Sequence, residues 1–285
     1  MMDALRELSD EELKYIKIKL KENFPKSIKN LHYIFSAEKC KAESRKYEKL
    51  SDKVLPKFYT YRYGLKENCT IFGITGDENH TVWYFTFDDS LNEIRKCLEE
   101  TNLIKWQRKF CFVTVHAEQI QPILDYAARN GLNIDNEENF YFYLPIEAAL
   151  NFKIAIPDEV NLVQLKPNDS QLCNQLWKYK NENSELWIKS LIQVHGGYAF
   201  RDKVTNELLS FAIINDHLAI GVLVTIEKAQ RKGYGEMIVK YLAKKLAEED
   251  SVPHVYINKE NVRGLKLFYK LGFIKIGDSN WITIL

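Results

Sequence analysis

The chain has 285 residues, of which 46% are hydrophobic and 13% aromatic, and this composition is typical of a globular protein with material for two buried cores. Its 40 basic and 39 acidic residues leave a formal net charge of +1, so charge favours neither nucleic acid nor an anionic membrane as a partner. No apolar run reaches the roughly 18 residues of a membrane-spanning helix. The 5 cysteines are scattered without a Cys-x-x-Cys pair, which indicates reduced thiols of an intracellular protein and predicts no zinc site.

The first half begins with an amphipathic helix at residues 8–24, which a Ser9–Glu12 capping box opens and Pro25 stops. The acidic residues at the N-terminus are unlike those of a signal or transit peptide. Apolar alternation and turn residues predict the remaining elements. These are strands at 30–35, 57–63, 70–74, 81–87, 109–115 and 139–144, helices at 91–100 and 118–130, and a polar helix or loop at 38–52.

Residues 145–157 are predicted to be a connector, after which the pattern starts again. The strand at 218–226 leads into an amphipathic helix whose apolar stripe includes Met237, Leu242 and Leu246. We therefore predict a mixed α/β chain of two domains, residues 1–150 and 158–285. The other elements predicted in the second half are helices at 170–180, 184–193 and 261–271, and strands at 161–165, 198–200, 208–214, 254–257, 273–276 and 281–284.

The two halves repeat each other in pattern. A shift of 141 residues places Gly131-Leu132 on Gly272-Phe273 without a gap, together with the hairpin, helix, strand and helix that precede them. Residue identity is low, so a coincidence of common βαβ parts is the alternative. The repeat predicts two copies of one fold in tandem.

The stretch Gln230–Gly235 lies between the strand at 218–226 and the helix that follows it. Gly233 and Gly235 allow positive φ angles and a close approach of the backbone, and the first amides of a helix have no helical partner. Such a turn attracts an anion such as a pyrophosphate. The alternative is an ordinary βα turn in which glycine serves only tightness.

The first half has no such loop at the equivalent position. There the sequence is Asp89-Ser90-Leu91-Asn92-Glu93-Ile94, which contains no glycine. The two carboxylates would repel a pyrophosphate at close range. The N-terminal copy is therefore predicted to be degenerate and to lack a cofactor site.

Over about residues 158–285 the chain resembles the GNAT superfamily of acyl-CoA-dependent N-acyltransferases. Gln230-x-x-Gly233-x-Gly235 is similar to the pyrophosphate loop of that superfamily. Asn261-x-x-Gly264, followed by Leu271-Gly272-Phe273, is similar to its second CoA motif. Within the superfamily, the total length, the N-terminal domain and the helix pair around Trp177 and Ser184 are closest to the glycine N-acyltransferase family. The resemblance implies two tandem GNAT-like domains, the first of them degenerate.

The resemblance also implies how acyl-CoA or acetyl-CoA is held as co-substrate. Backbone groups of Leu223, Val224 and Thr225 would bond to the pantetheine arm as an added strand would. The remaining cofactor-binding residues expected on this basis are Gln230, Arg231, Lys232, Gly233, Tyr234, Gly235, Asn261 and Phe268. Asn261 has an alternative role as a helix N-cap.

The sequence departs from the family at the positions that supply its acids and bases. The tyrosine expected four residues before the glycine of Leu-Gly-Phe is Phe268, and the two expected glutamates are Val262 and Ala219. The candidate catalytic side chains that remain are His217, on the strand face of Ala219, and Tyr269, next to Phe268.

Both candidates have a structural alternative. His217 lies in a turn that leads into the strand, and Tyr269 is rotated by about 100° around the helix from the family's position. Glu260 is a further candidate, although a carboxylate at a helix start commonly serves the helix dipole.

Two functions fit these residues. The first is an N-acyltransferase that moves an acyl group to the amine of a small molecule or amino acid, with a glycine-like acceptor suggested by the resemblance. The second is a CoA-binding protein without turnover, acting as a sensor or scaffold. The retained parts of the cleft favour the enzyme. We expect a monomer or weak dimer in the cytoplasm without nucleic-acid or membrane partners, and the family resemblance also allows a mitochondrial location.

Overall fold

The structure is a computed structural model that describes residues 2–42, 56–65, 68–76, 80–181 and 184–285. Contacts divide the chain into two compact units. Unit 1 comprises Met1–Phe140 and Gly277–Leu285, and unit 2 comprises Tyr141–Ile276. The end of the chain thus belongs to unit 1. The sequence-based domains, residues 1–150 and 158–285, stay a prediction.

Unit 1 consists of a sheet with helices on both faces. Its helices are α1 (Asp10–Glu22), α2 (Ile28–Ala42), α3 (Asn92–Glu100) and α4 (Gln121–Arg129). Its strands are β1 (Leu5–Glu7), β2 (Lys57–Tyr61), β3 (Ile71–Ile74), β4 (Thr81–Phe85), β5 (Phe110–His116) and most of β6 (Ile134–Tyr143). The final strand, β12 (Ile274–Ile284), lies between β5 and β6, which gives the order β1-β2-β3-β4-β5-β12-β6.

Alternate residues of the central strands of unit 1 face opposite layers, as the pleat of a strand requires. One buried cluster joins Phe72 and Tyr84 to α3 and α4, and the other joins Ile71 and Trp83 to α1 and α2. The predicted capping box is confirmed, because Ser9 and Glu12 bond to each other's backbone amides at the start of α1. The two clusters make unit 1 a three-layer structure.

Unit 2 contains an antiparallel sheet and a separate strand. Its helices are α5 (Ile146–Leu150), α6 (Ser170–Leu176), α7 (Ser184–Val194), α8 (Tyr234–Glu248) and α9 (Val262–Lys270). Its strands are β7 (Val160–Gln164), β8 (Gly197–Asp202), β9 (Leu208–Ile214), β10 (Ile220–Thr225) and β11 (His254–Asn258). The sheet has the order β10-β9-β8-β7, and β11 lies beside the end of β6.

The predicted repeat is confirmed element by element. Among the described residues, the helices and strands follow the order β-α-α-β-β-β-α-β-α-β twice, from β1 to β6 and from β7 to β12. Helices α4 and α9 begin and end 141 residues apart. Gly131 and Gly272, which follow them, both have a positive φ, 63° and 83°. The predicted fold class, a mixed α/β chain with two tandem copies of one fold, is therefore confirmed.

Some predicted elements are wrong. Residues 30–35 belong to helix α2, in which the buried Leu31, Ile34 and Ala37 recur at helical spacing beneath a run of β-prone side chains. The two strands predicted at 273–276 and 281–284 are one strand, β12. The predicted connector contains α5. The predicted element at 38–52 and the hairpin connection at 75–79 lie partly outside the described residues.

Trp83 fixes the close approach of β3 and β4. Trp83 and Gly73 are register partners, and a Cβ added at Gly73 would lie 2.2 Å from Trp83 Cε2. The indole is 1% exposed and stacks on the ring of Tyr33, with centroids 4.7 Å apart. The ring therefore fills the space above Gly73, and no side chain can share it.

We expect Gly73→Ala to lower the free energy of unfolding by about 1–3 kcal/mol, as other overpacked cores do. Gly277→Ala in β12 is the matched control, because nothing lies within 4 Å of its added Cβ. That change should leave stability equal or slightly higher, since alanine reduces the entropy of the unfolded chain. Urea unfolding measures all three proteins, and equal midpoints for both variants would contradict the Trp83 contact.

Unit 1 also buries a lysine. Lys29, in the first turn of α2, is 0% exposed, and burial lowers the pKa of its ammonium group to about 7, with Glu118 opposing that shift. Burial, with the charge of Lys29 second, lowers the pKa of His116 well below its usual value. This core therefore favours a neutral amine at Lys29 as soon as the pH exceeds 7.

The buried lysine predicts a pH dependence of stability. The unfolded chain keeps the Lys29 proton up to its ordinary pKa of 10.5, whereas the folded protein releases it near 7, so between these values the unfolded state binds more protons. Stability should therefore rise with pH across this window, by at most about 1.4 kcal/mol per pH unit. Urea unfolding between about pH 7 and pH 9.5 should show this rise in the wild type and in the exposed control Lys26→Met, but not in Lys29→Met. Parallel curves for all three proteins would contradict the lowered pKa.

Candidate active site

The candidate site begins at β10, a strand of unit 2 that has a paired neighbour, β9, on one side only. β10 is the edge strand of the four-stranded sheet, and β11 pairs elsewhere, beside β6. A β-bulge between Gly221 and Val224 interrupts the pairing of β10 with β9, and Val222 within it has a φ of 49°. A bulge bends a strand and turns the backbone groups beyond it. The last residues of β10, which lead into the loop, therefore have an open backbone edge on the side away from β9.

The sequence-predicted residues Leu223, Val224 and Thr225 lie on this edge and are half-buried. The Ser210 hydroxyl donates to the Val224 carbonyl at 3.0 Å, and Gln230 Nε2 donates to the Thr225 carbonyl at 3.3 Å. These contacts hold the strand end in one conformation. An ordered strand edge of this kind can pair with an extended chain that carries amide groups.

The loop after β10 has the geometry of an anion cradle. Residues 230–233 are exposed, and Arg231 and Gly233 both have a positive φ, 64° and 82°. The first hydrogen bond of α8 runs from the Met237 amide to the Gly233 carbonyl at 3.0 Å. The amides of residues 234–236 therefore precede the bonded part of the helix. Amides at a helix start, next to left-handed residues and beside Arg231 and Lys232, favour a phosphate group.

The two glycines of the loop are required for different reasons. Gly233 is the N-cap of α8 and needs its left-handed backbone, which costs other residues roughly 1 kcal/mol or more. At Gly235 an added Cβ would lie 3.1 Å from Thr225 Oγ1, so any side chain there would press against the end of β10. Gly235 thus allows the helix to start close to the strand edge.

The second motif is built around an N-cap. Asn261 Oδ1 accepts from the Gly264 amide at 3.0 Å at the start of α9, and a Cβ at Gly264 would lie 2.8 Å from Asn261 Nδ2. The structure thus shows the cap role of Asn261, and a contact with pantetheine stays a prediction. Arg263 Nη1 donates to Gln230 Oε1 at 3.4 Å. This contact joins the two motifs, and the sequence analysis missed Arg263 because it sits at a variable position of the motif.

The two aromatic residues of α9 point in different directions. Phe268 is 6% exposed and packs edge-on against Phe273, with centroids 5.1 Å apart. Tyr269 is 56% exposed, and its ring meets the edge of Phe142 at 5.1 Å. Tyr269 therefore does not replace the hydroxyl that Phe268 lacks in the buried direction.

The two positions at which glutamates are expected also carry no acid or base. Ala219 is buried directly before β10, and Val262 is exposed at the start of α9. The neighbouring Glu260 is exposed, and its backbone amide bonds to Asn258 Oδ1 at 2.9 Å as part of the turn before α9. The backbone of Glu260 thus belongs to the turn before α9.

His217 belongs to a buried aromatic cluster. Its Nδ1 lies 2.8 Å from Asp216 Oδ1, and the side chain is 4% exposed. Its ring centroid lies 5.4 Å from that of Tyr256 and 5.7 Å from that of His254. Tyr256 in turn stacks on Tyr141 at 4.6 Å. The imidazole therefore faces packed rings, and a reacting amine could reach it only if they moved.

The sequence analysis missed His254 and Tyr256 as neighbours of His217. Their spacing of two residues was the available signal, because residues at i and i+2 of a strand share one face. What the sequence does not show is that β11 brings this face to the turn that precedes β10. That proximity depends on the tertiary fold.

Unit 1 fills the equivalent site with its own side chains. At the start of α3, Asp88 Oδ1 accepts from the Ser90 amide at 3.0 Å and Asp88 Oδ2 from the Glu93 amide at 3.2 Å. Asp88 thus takes the place of an anion at this helix start. The repulsion of a pyrophosphate by Asp89 and Glu93 stays a prediction. Gln119 Nε2 donates to the Thr86 carbonyl at 2.8 Å and so occupies the space beyond β4.

Two family models match parts of the chain. Residues 4–126 match a domain of unknown function (DUF5645), and residues 197–282 match the model described as FR47-like protein. The second match covers β8 to β12 and both motifs of the candidate site. A comparison with curated proteins gives no match.

Several solved structures are similar to the chain. A Drosophila protein is 23% identical with a TM-score of 0.91, and the match covers 100% of this chain and 99% of that one. A GCN5-related N-acetyltransferase-like protein from Streptococcus suis is 13% identical with a TM-score of 0.51, over 96% and 99% of the two chains. A GCN5-related N-acetyltransferase from Kribbella flavida is 11% identical with a TM-score of 0.53, over 86% and 95%.

These likenesses establish the fold, because the matches cover most of each chain. They show the fold alone, because the sequence identities are low. In the part of the chain that the structure describes, no helix has the length and apolar character to cross a membrane. The chain has the fold of the GCN5-related N-acetyltransferases (GNAT) in two tandem copies, and its residues 197–282 match the FR47-like model.

Proposed function

We propose that unit 2 binds acyl-CoA or acetyl-CoA and transfers the acyl group to the amine of a small molecule or amino acid. The observation that carries this proposal is the cradle after β10, in which Gly233 is left-handed and Gly235 lies against Thr225. The loop amides and Arg231 or Lys232 would hold the pyrophosphate. Leu223, Val224 and Thr225 would pair with pantetheine, and Arg263 would add a positive charge beside Gln230.

The chemistry proposed for this site is direct attack. The amine nitrogen bonds to the thioester carbon, the carbon–sulfur bond breaks, and the amine gives up one proton while CoA leaves as a thiolate. A backbone amide at the bulge of β10 would stabilise the negative charge that develops on the carbonyl oxygen. A thiol with a pKa of about 8.5 leaves without an acid, so the apolar Phe268 does not prevent the reaction.

The acceptor and the finer family assignment rest on the sequence resemblance. The glycine N-acyltransferase family suggests a glycine-like acceptor, through the length of the chain and the helix pair around Trp177 and Ser184. In the structure Trp177 and Trp187 stack at 5.7 Å beside the core of α6 and α7. This packing supports the helix pair as a structural feature, and the acceptor itself stays a proposal.

A second function is favoured by a specific observation. Ala219, Val262 and Phe268 carry no acid or base, and His217 is enclosed by packed rings. An intact cradle beside these residues is what a CoA-binding protein without turnover would keep. Such a protein would serve as a sensor or scaffold. Free thiol released from several acyl-CoAs in the presence of an amine panel separates the two functions.

The cradle is tested by Gly235→Glu. The new side chain would press against Thr225 and place a negative charge where the pyrophosphate is proposed to sit, so CoA affinity should fall by at least about tenfold. Gly277→Glu adds the same side chain and charge at a position with open space around its Cβ and should keep the affinity. Calorimetric titration with CoA measures both, and unchanged affinity in a folded Gly235→Glu protein would refute the placement.

The pH profile of turnover tests the absence of a side-chain base. Because His217 is buried against Tyr256 and His254, we expect kcat/KM to rise with pH until the acceptor amine is deprotonated. The apparent pKa should then follow the amine across a series of acceptors. An inflection that is the same for every acceptor and disappears in His217→Ala, with a rate loss of about 10², would show instead that His217 is the base. An inflection that is independent of the amine and survives His217→Ala would point to another base.

A further inference from the structure

Tyr234 is the first residue of α8, but its side chain leaves the loop and enters the core. The residue is 1% exposed, and its ring centroid lies 5.6 Å from that of Phe200. The hydroxyl donates to Glu159 Oε1 at 2.9 Å. Burial and then this hydrogen bond raise the pKa of Tyr234 to about 12, so the hydroxyl keeps its proton and remains a donor. The loop is thus tied at its helical end to the residue that precedes β7.

Glu159 is an exposed carboxylate next to one of the two loop cations. Its own backbone amide, the Tyr234 hydroxyl, and the charges of Lys232 and Lys203 all lower its pKa, in that order. The backbone carbonyl of Glu159 accepts from the Lys203 amide at 3.0 Å, which fixes the main chain at this point. The carboxylate of Glu159 is therefore ionised at neutral pH and is held by its hydrogen bond with Tyr234. Its charge interacts with that of Lys232.

We propose that Glu159 is a positioning residue of the pyrophosphate loop and that its hydrogen bond with Tyr234 and its negative charge have opposite effects on anion binding. Through Tyr234 it holds the loop in the conformation that needs Arg231 and Gly233 in the left-handed region. Through its charge it attracts Lys232 and repels an incoming phosphate. The inference rests on the proposed function, because both concern the same loop.

The physical reason for the first effect is preorganisation. A non-glycine residue such as Arg231 occupies the left-handed region at a cost of roughly 1–2 kcal/mol and stays there only when its surroundings hold it. A loop that is already in its binding conformation loses less entropy when a ligand binds. The second effect is electrostatic, so salt should weaken it.

Limited proteolysis of the unliganded protein tests the positioning effect. Trypsin cuts after Arg231 and Lys232, both exposed, and Tyr234→Phe should be cut several times faster than the wild type because its loop opens more often. Tyr241→Phe is the matched control, since it removes a hydroxyl that bonds to Tyr198 from the same helix. Glu159→Gln should be cut at nearly the wild-type rate, because an amide oxygen still accepts from Tyr234. Equal rates for Tyr234→Phe and Tyr241→Phe would overturn the inference whether or not CoA binds.

Calorimetry with CoA tests the opposition of the two effects. At low salt, Tyr234→Phe should raise the Kd about threefold to tenfold, whereas Glu159→Gln should lower it about threefold, and about 0.5 M salt should remove the second change. Asp158→Asn removes the neighbouring exposed charge and should change the Kd less. A Glu159→Gln protein that binds CoA as weakly as Tyr234→Phe would overturn the charge effect. A wild type that does not bind CoA would refute the proposed function, and the proteolysis rates would still decide the positioning effect.

Discussion

The bulge that interrupts the pairing of β10 with β9 is the constraint on which the candidate site depends. It places Val222 in the left-handed region and leaves β10 as an edge strand while β11 pairs with β6. An unpaired edge buried by its surroundings would be costly, because backbone amides and carbonyls need partners. At the end of β10 the Val224 and Thr225 carbonyls accept hydrogen bonds from Ser210 and Gln230. The chain thus presents a peptide edge that a ligand with amide groups can complete.

The two units show how few residues decide whether this geometry can bind a ligand. In unit 1, β4 pairs with β5 only at two registers, Thr81 with Cys111 and Val82 with Phe112, so the strands part there as well. The opening is then closed by Gln119, and the helix start is occupied by the Asp88 carboxylate. Unit 2 has glycine, arginine and lysine at the corresponding loop. The fold supplies the opening in both units, and the loop side chains determine what fills it.

The repeat and the cradle could be predicted from the sequence because both depend on local signals. Gly131 and Gly272 mark equivalent helix ends, and Gly233 and Gly235 mark a turn that no other residue type could adopt without strain. Helix α2 was missed because its β-prone residues Tyr33 and Phe35 outweighed the spacing of its buried positions. Local propensity is a weak guide where tertiary packing decides.

The remaining features of the site depend on contacts distant in sequence, which a single sequence does not reveal. Arg263 meets Gln230 across 33 positions, and Tyr234 meets Glu159 across 75. The insertion of β12 between β5 and β6 likewise joins the last strand of the chain to two strands near its middle. Periodicity shows which face of an element is apolar, but it does not show which partner that face meets. The side-chain contacts that hold the loop could therefore not be predicted before the fold was known.

A transferase built this way would depend on the acceptor for its proton chemistry. With Phe268, Val262 and Ala219 at the acid and base positions, what the protein contributes is placement of the thioester next to the amine, which can replace much of the entropic barrier. Only a neutral amine attacks. At pH 7 an α-amino group, with a pKa of about 8, is neutral in roughly a tenth of molecules, whereas a lysine-type amine, with a pKa of about 10.4, is neutral in fewer than about one in a thousand. Without a base to shift this balance, the rate at a given pH follows the fraction of the acceptor that is neutral. Apolar residues at the acid and base positions would then make turnover depend on pH through the acceptor, and they are compatible with an active enzyme.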